Sequence, residues 1–218
     1  MNSSPLPVRT TIEAASLIVA PALMSIGDLM HPHESLDAGA QVAMVAAAAT
    51  RWYVAHLLLL VGMLLLIPGI LLLSRTVALR HPGIGYASRV LVLVSVGALS
   101  AIFAFEMLLG GFTVAAERRA AVALLETFNS HVLVVLLPGL LAFFIGTGLF
   151  VTPLARAAGP LRWPALCFAL GALFILGEII TAQVILSQIG NVLILIAGLG
   201  FARVLRRAGT ASIASVAT

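Results

Sequence analysis

Long apolar stretches alternate with short polar segments along the chain. Each stretch is close to the roughly 20 residues with which an α-helix, rising about 1.5 Å per residue, crosses about 30 Å of hydrocarbon. The stretches lie at about 12–30, 52–74, 89–110, 128–152, 162–183 and 186–205. The pattern therefore predicts an all-α protein, an integral membrane bundle of six transmembrane helices.

The last two stretches decide on which side the chain ends. The apolar residues 161–205 are too many for one helix, and two helices leave only a tight turn near 183–190. With six spans and a cytoplasmic N-terminus, the arginines divide nine to three in favour of the cytoplasm, as the positive-inside rule requires. The inside set is Arg9, Arg75, Arg80, Arg89, Arg156, Arg162, Arg203, Arg206 and Arg207, and the outside set is Arg51, Arg118 and Arg119.

This topology divides the chain into three parts. We expect a cytoplasmic N-terminal tail at 1–11, a six-helix transmembrane domain at 12–207 and a disordered cytoplasmic tail at 208–218. The predicted location is the inner membrane of a bacterial cell, with both termini in the cytoplasm.

Composition supports the membrane assignment and excludes other classes. The chain of 218 residues is 61% apolar and 9% charged, whereas soluble domains are about 45–50% apolar and about 25% charged. A small soluble domain could not bury so much apolar surface, so the lipid bilayer is the first predicted partner. The net charge of +4 comes from arginines at the ends of apolar stretches, which indicates topology and no nucleic-acid partner. The lone Cys167 allows no intrachain disulfide.

The two longer outside connections contain further polar residues. Residues 31–50 include His31 and His33 in the sequence HPHE, which resembles a metal-ligand cluster but fits an exposed loop better. Residues 111–127 predict an amphipathic helix lying on the membrane interface. Trp52, Tyr53 and Trp163 lie where an aromatic belt is expected.

Histidines and carboxylates gather toward the outer ends of the predicted spans. His56, Glu106, His131 and Glu178 all fall in the outer third of the bilayer, and Asp28 lies at similar height. Ionisable groups in hydrocarbon cost a few kcal/mol or more, so they usually face the bundle interior and serve function or pair with each other. We expect these five residues to form a site.

The site residues occur in two similar segments. Spans two and three contain His56, a Pro-Gly pair at 68–69 and Glu106, while spans four and five contain His131, a Pro-Gly pair at 138–139 and Glu178. A parallel repeat of helical hairpins about an axis along the membrane normal explains this order. Chance similarity among alanine, leucine and glycine explains it equally well.

The leading hypothesis for this site is acid–base chemistry on a lipophilic small molecule. A carboxylic acid in a low-dielectric pocket can donate a proton while a nearby imidazole accepts one, which fits cyclisation or isomerisation of an isoprenoid. Glu106 or Glu178 would be the acid, and His56 or His131 the base. The aromatic side chains expected to line the substrate are Trp52, Tyr53, Phe103 and Phe105.

Two other classes of function remain open. His56, His131, Glu106 and Glu178 could hold zinc or iron, and the two histidines alone could bracket a haem. Alternatively, the protein is a proton-coupled carrier or sensor, although the inner halves of the spans are almost purely apolar. No Walker-type loop, HExxH, CxxC or GxSxG motif is present.

Two resemblances add to these expectations. The stretch RWYVAHLLLLVGMLLLIPGILLL, preceded by GDLMHP, resembles a group of small uncharacterised multi-pass membrane proteins of high-GC bacteria. In size and sparse polar residues the chain is also similar to bacterial membrane-bound terpene cyclases. That likeness implies intramembrane carboxylates as catalytic groups, which here correspond to Glu106, Glu178 or Asp28.

Overall fold

The protein is described by a computed structural model that covers residues 8–32, 37–111, 115–157, 159–181 and 183–216. These residues form helices that follow one another with short connections. In chain order they are α1 (Val8–Met30), α2 (Ala38–Ala47), α3 (Ala49–Ala78), α4 (Pro82–Leu109), α5 (Ala115–Arg156), α6 (Arg162–Thr181) and α7 (Val184–Val216).

The prediction of six membrane-spanning helices is confirmed. Thr11–Met30, Ala49–Ala78, Pro82–Leu109, Val134–Arg156, Arg162–Thr181 and Ile185–Arg207 are long and apolar enough to cross a bilayer. Helices suit this environment because they satisfy their backbone hydrogen bonds internally where no water is available. The all-α membrane bundle is therefore the observed fold class.

The six spanning helices form a closed ring. Each of α3 to α6 packs on the next spanning helix along the chain, and α1 packs on both α3 and α7. We call the end with the start of α1 and the α3–α4 turn the arginine-rich end, and the end with His31 and His56 the histidine end. Which end faces the cytoplasm stays a prediction.

The main hydrophobic core lies toward the arginine-rich end. It contains side chains from all six spanning helices, among them Leu17, Leu73, Phe150, Leu161 and Phe201. A smaller cluster covers the histidine end, where α2 and the first turns of α5 pack on α3 and α4 through Val45, Trp52, Leu109 and Leu125. This second cluster is called the outer cap below.

Helix α5 differs from the sequence prediction at its start. An interfacial helix over 111–127 and a separate span beginning near 128 were expected, but α5 is continuous over 42 residues and its membrane segment begins at Val134. The reason is that residues 115–137 contain neither proline nor glycine, so nothing ends the helix before Pro138. His131 is therefore displaced away from the bundle centre.

The tails also differ from expectation. Helix α7 runs to Val216 and so includes much of the segment 208–218, for which a disordered tail was expected. Of the predicted N-terminal tail 1–11, residues 1–7 lie outside the described residues and Val8–Thr11 belong to α1. His33 and Glu34 of the HPHE sequence also lie outside the described residues.

Glycines bring α1 close to α3. A Cβ atom added at Gly62 of α3 would lie 3.0 Å from the Ala20 carbonyl oxygen and 2.6 Å from Met24 Cγ of α1. Gly27 of α1 faces the Ala55 carbonyl oxygen in the same way, at 2.9 Å. Small residues at such positions let two helix backbones approach closely in a membrane.

We expect Gly62→Leu to lower the free energy of unfolding by about 1–3 kcal/mol, because the added side chain overpacks the α1–α3 contact. The measurement is the thermal unfolding midpoint in detergent. Gly97→Leu is the matched control, since a Cβ there meets nothing within 4 Å. Equal midpoints for both variants would contradict a tight α1–α3 contact.

Candidate functional site

Trp52 organises the histidine end. Its side chain is fully buried, and its indole Nε1–H donates a hydrogen bond of 2.6 Å to the backbone carbonyl oxygen of Glu106. The contact joins α3 to the last turns of α4 beneath the outer cap. The sequence suggested that Trp52 belongs to an aromatic belt, but its burial excludes this. Tyr53 and Trp163, the other two residues assigned to the belt, are exposed at the surface.

His56 lies one helical turn below Trp52 on α3 and is fully buried. Its Nδ1 lies 2.8 Å from the Trp52 carbonyl oxygen. A carbonyl oxygen can only accept, so Nδ1 carries the hydrogen. The second ring nitrogen, Nε2, is directed into the bundle and is available for another hydrogen bond. The ring also lies 4.2 Å from the Trp52 ring, centroid to centroid.

Two groups from other helices meet His56 Nε2. Glu106 Oε2 of α4 lies 3.0 Å away, and Nε2 of His31, just after α1, also lies 3.0 Å away. His31 Nδ1 is 2.8 Å from the Pro32 carbonyl oxygen and therefore also donates. These three side chains are called the His31–His56–Glu106 cluster.

The two contacts of His56 Nε2 compete for one hydrogen. With both Nδ1 atoms acting as donors, the Nε2 atoms of neutral imidazoles would present lone pairs to each other and to the Glu106 carboxylate. A hydrogen on His56 Nε2 would let this atom donate to Glu106 or to His31 Nε2, whereas a hydrogen on the Glu106 carboxyl group would satisfy only the contact between Glu106 and His56. The cluster thus places one hydrogen position between an imidazole and a carboxylate.

His31 is suited to the acceptor role. Burial, with a smaller contribution from the neighbouring His56, lowers its pKa from 6.5 to about 4, while Glu106 and the bond to Pro32 act in the opposite direction. His31 is therefore neutral at pH 7. The sequence had favoured an exposed loop for His31, but the side chain is only partly exposed and packs on both Trp52 and His56.

Asp28 belongs to a second cluster, on the other side of α1. Its carboxylate accepts hydrogen bonds from Ser187 Oγ at 3.2 Å and from Asn191 Nδ2 at 3.3 Å, both on α7. Glu178 of α6 is within electrostatic reach of Asp28. Ser187 and Asn191 therefore bind Asp28 within the bundle and join α7 to α1.

The five predicted catalytic residues thus divide into three locations. His56 and Glu106 meet, and Asp28 and Glu178 lie near each other in the second cluster. His131 is exposed on α5, with Nδ1 2.9 Å from the Thr127 carbonyl oxygen. Of the two predicted histidine–glutamate pairs, His56 and Glu106 form a contact and His131 and Glu178 do not. The two proposed hairpin repeats therefore do not carry equivalent sites.

Of the four aromatic residues predicted to line a substrate, Trp52 and Phe103 contact His56, whereas Phe105 packs on α5 and Tyr53 is exposed. Phe103 meets His56 edge to face at 6.5 Å, and Phe105 stacks on Phe128 at 3.8 Å. A cavity of about 310 Å³ between α4 and α5 is lined by Phe105, Leu108 and Leu109. At 100° per residue, Phe105 and Leu109 share the helical face next to that of Glu106.

The predicted metal ligands do not converge. Among the residues that the structure describes, no group of three or more His, Cys, Asp or Glu side chains is arranged to hold a metal ion. The exposed His131 and the buried His56 are also poorly suited to bracket a haem. Of the two chemistries considered for these side chains, the observed contacts fit proton binding better.

Polar groups that the sequence analysis did not identify lie near the arginine-rich end. Glu13 of α1 is buried and forms an ion pair with Arg75 of α3. Arg89 donates from Nε to Ser74 Oγ at 3.3 Å, and Ser88 donates to the Gly146 carbonyl oxygen at 2.9 Å. The inner halves of the spans are therefore less apolar inside the bundle than the sequence suggested.

Comparison of the chain with protein-family models, curated proteins and solved structures finds no match in any of the three. The interpretation of the site therefore depends on its own geometry.

The lowered pKa of His31 predicts a loss of stability in acid. Between pH 6.5 and about 4 the unfolded state binds a proton that the folded state excludes, so stability falls by up to about 3 kcal/mol as the pH drops through this window. We expect His31→Gln to flatten the pH dependence of the unfolding midpoint. His131→Gln is the control, and an equal flattening in this variant would rule out His31 as the cause.

Proposed function

We propose that this multi-pass membrane protein performs acid–base chemistry on a lipophilic small molecule at the His31–His56–Glu106 cluster. The single observation on which the proposal depends is the position of His56 Nε2, 3.0 Å from both Glu106 Oε2 and His31 Nε2. Such an arrangement holds one exchangeable proton between two bases and a carboxylate. A general acid or base needs this kind of position within hydrogen-bond reach of its partner.

The type of proton favours isomerisation over cyclisation. Imidazole and carboxyl groups are moderate acids and bases. Protonation of an isolated alkene requires a far stronger acid, whereas removing and returning a proton beside a carbonyl group is within the range of histidine and glutamate. We therefore favour an isoprenoid-like substrate with an enolisable or otherwise acidic C–H group.

Access to the cluster is possible through Glu106. Its side chain is 21% exposed, while His56 is completely buried, so a substrate can reach Glu106 more readily than His56. The cavity on the neighbouring face of α4 has a volume of about 310 Å³, at the lower end of the range of about 300–1,000 Å³ typical of small-molecule pockets. Its lining is mainly apolar, which agrees with a lipophilic substrate.

We expect Glu106→Gln to change the hydrogen bond at His56 Nε2. In protein labelled with ¹⁵N at histidine, the Nε2 chemical shift of His56 should differ between the wild type and the variant, because an amide replaces the carboxylate that lies 3.0 Å from this nitrogen. Glu126→Gln changes an exposed carboxylate on α5 and should leave the His56 signals in place.

The same two variants connect the proton to turnover. Incubation with a panel of lipophilic prenyl compounds, analysed by mass spectrometry, should give a product whose rate of formation falls about 10²–10⁴-fold in Glu106→Gln and is unchanged in Glu126→Gln. A Soret band or a stoichiometric metal in the purified wild-type protein would contradict metal-free acid–base chemistry.

A second candidate function is proton-coupled transport. The observation that favours it is the ion pair between buried Glu13 and partly exposed Arg75 near the arginine-rich end, together with the buried hydroxyls of Ser88 and Ser95 on α4. Together with the cluster at the histidine end, ionisable groups then lie near both ends of the bundle. Chains of intramembrane carboxylates and histidines are the usual relays of proton-coupled carriers.

Transport predicts a proton flux across the membrane. In liposomes containing the protein and an internal pH dye, a carrier should dissipate an imposed pH gradient. Both Glu13→Gln and Glu106→Gln should lower the rate at which the gradient decays. Glu126→Gln again serves as the control. Gradients that decay equally in empty and protein-containing liposomes, for a panel of candidate solutes, would remove this second candidate.

A further inference from the structure

A large groove lies at the arginine-rich end, far from the histidine cluster. It has a volume of about 670 Å³ and is formed by the end of α3, the turn into α4 and the last turns of α5. The polar side chains of its lining are those of Thr76, Arg80, His81, Thr152 and Arg156. The groove therefore combines two guanidinium groups, an imidazole and hydroxyl groups within one concave surface.

The electrostatic character of the groove is positive. No carboxylate is among the residues that line it, and both arginine side chains are exposed. Helix α4 begins at this groove with Pro82 in its first turn and without a side-chain cap hydrogen bond from His81. Its free N–H groups add the positive end of a helix dipole to the two arginines.

The remaining walls of the groove are apolar. Val77 and Ile84 form one side and Leu149 the other. A Cβ atom added at Gly148, which also lines the groove, would meet nothing within 4 Å, so the space beside α5 is open. An occupant with a charged group and an attached hydrocarbon portion would match both parts of this lining.

The groove lies where such an occupant is available. Arg80 follows the membrane segment Ala49–Ala78, and Arg156 ends the segment Val134–Arg156. Both arginines are thus at the height of the lipid headgroups. Basic pockets between transmembrane helices at this height bind phosphate-bearing lipid headgroups, and a guanidinium group binds a phosphate through two parallel hydrogen bonds.

We propose that this groove is a binding site for a phosphate-class anion, held by Arg80 and Arg156. The phosphate is either that of an anionic lipid, whose acyl chains contact Val77, Ile84 and Leu149, or a free phosphate from the aqueous side. The site does not depend on the function proposed for the histidine end. The arginines at this end would then bind a ligand in addition to setting the orientation of the protein in the membrane.

The first arm of the test measures lipid retention. The protein is inserted into nanodiscs of equal parts phosphatidylglycerol and phosphatidylcholine, and the bound lipids are identified by native mass spectrometry. We expect the wild type to retain phosphatidylglycerol and Arg80→Gln/Arg156→Gln to retain about tenfold to thirtyfold less, since each arginine near a membrane surface contributes appreciably to anionic-lipid binding. Arg118→Gln/Arg119→Gln removes the same charge from exposed positions on α5 and should retain lipid as the wild type does.

The second arm distinguishes the source of the phosphate. In nanodiscs of phosphatidylcholine alone, inorganic phosphate is titrated while the unfolding midpoint is recorded. A midpoint that rises in the wild type but not in Arg80→Gln/Arg156→Gln identifies free phosphate as a ligand. Lipid retention without this rise identifies the headgroup, and either result supports the site.

A third variant tests the groove without changing charge. Gly148→Phe fills the open space beside α5 and should reduce retention, whereas Gly97→Phe, at a position with equally open surroundings on α4, should not. This comparison also decides the matter if the double arginine variant does not fold. The proposal would be overturned if the wild type, Gly148→Phe and Gly97→Phe all retained phosphatidylglycerol no better than phosphatidylcholine and if phosphate did not change the unfolding midpoint.

Discussion

The structure of the histidine end depends on satisfying one buried imidazole. His56 is fully buried and its Nδ1 donates to the Trp52 carbonyl oxygen, and an unsatisfied polar group in hydrocarbon costs several kcal/mol. Its Nε2 must therefore find partners on other helices. Glu106 from α4 and His31 from the end of α1 provide them, so one side chain fixes the relative height of three helices.

Helix α1 is held between two polar contacts on α3. Near one end His31 meets His56, and near the other Glu13 pairs with Arg75. Between them, Gly27 and Gly62 allow the two backbones to approach closely. Since apolar side chains gain little by leaving lipid for protein, polar pairs and close packing are the interactions that fix the register of membrane helices.

The sequence predicted the elements of the fold well because lipid imposes a simple rule on helix length and hydropathy. It also predicted that His56 and Glu106 would meet, since both lie near the outer ends of neighbouring spans. The role of His31 was missed because its Pro32 and His33 neighbours resemble a loop, although His31 directly follows α1 and its backbone N–H donates to the Asp28 carbonyl oxygen. The bond between Asp28 and Asn191 depends on closure of the ring between α1 and α7, which hydropathy cannot reveal.

His131 illustrates a different limit. Its predicted depth relied on a helix start near 128, but α5 begins at Ala115 and its membrane segment at Val134. The duplication hypothesis depended on the same boundary. Once His131 is outside the bundle, the second hairpin has a glutamate without its histidine, and Glu178 instead faces Asp28.

The two ends of the bundle differ in packing. The extensive core lies near the arginine-rich end, where α1, α3 and α5 to α7 contribute large buried side chains, while the histidine end is closed mainly by the small outer cap around Trp52. Regions with fewer buried apolar contacts open at lower free energy than the core. The cluster for which we propose a small-molecule substrate is therefore in the part of the bundle that can open most easily, and the densely packed half can stay rigid while it does so. The phosphate-class site proposed at that rigid end would add stability there without restricting the movement of the outer cap.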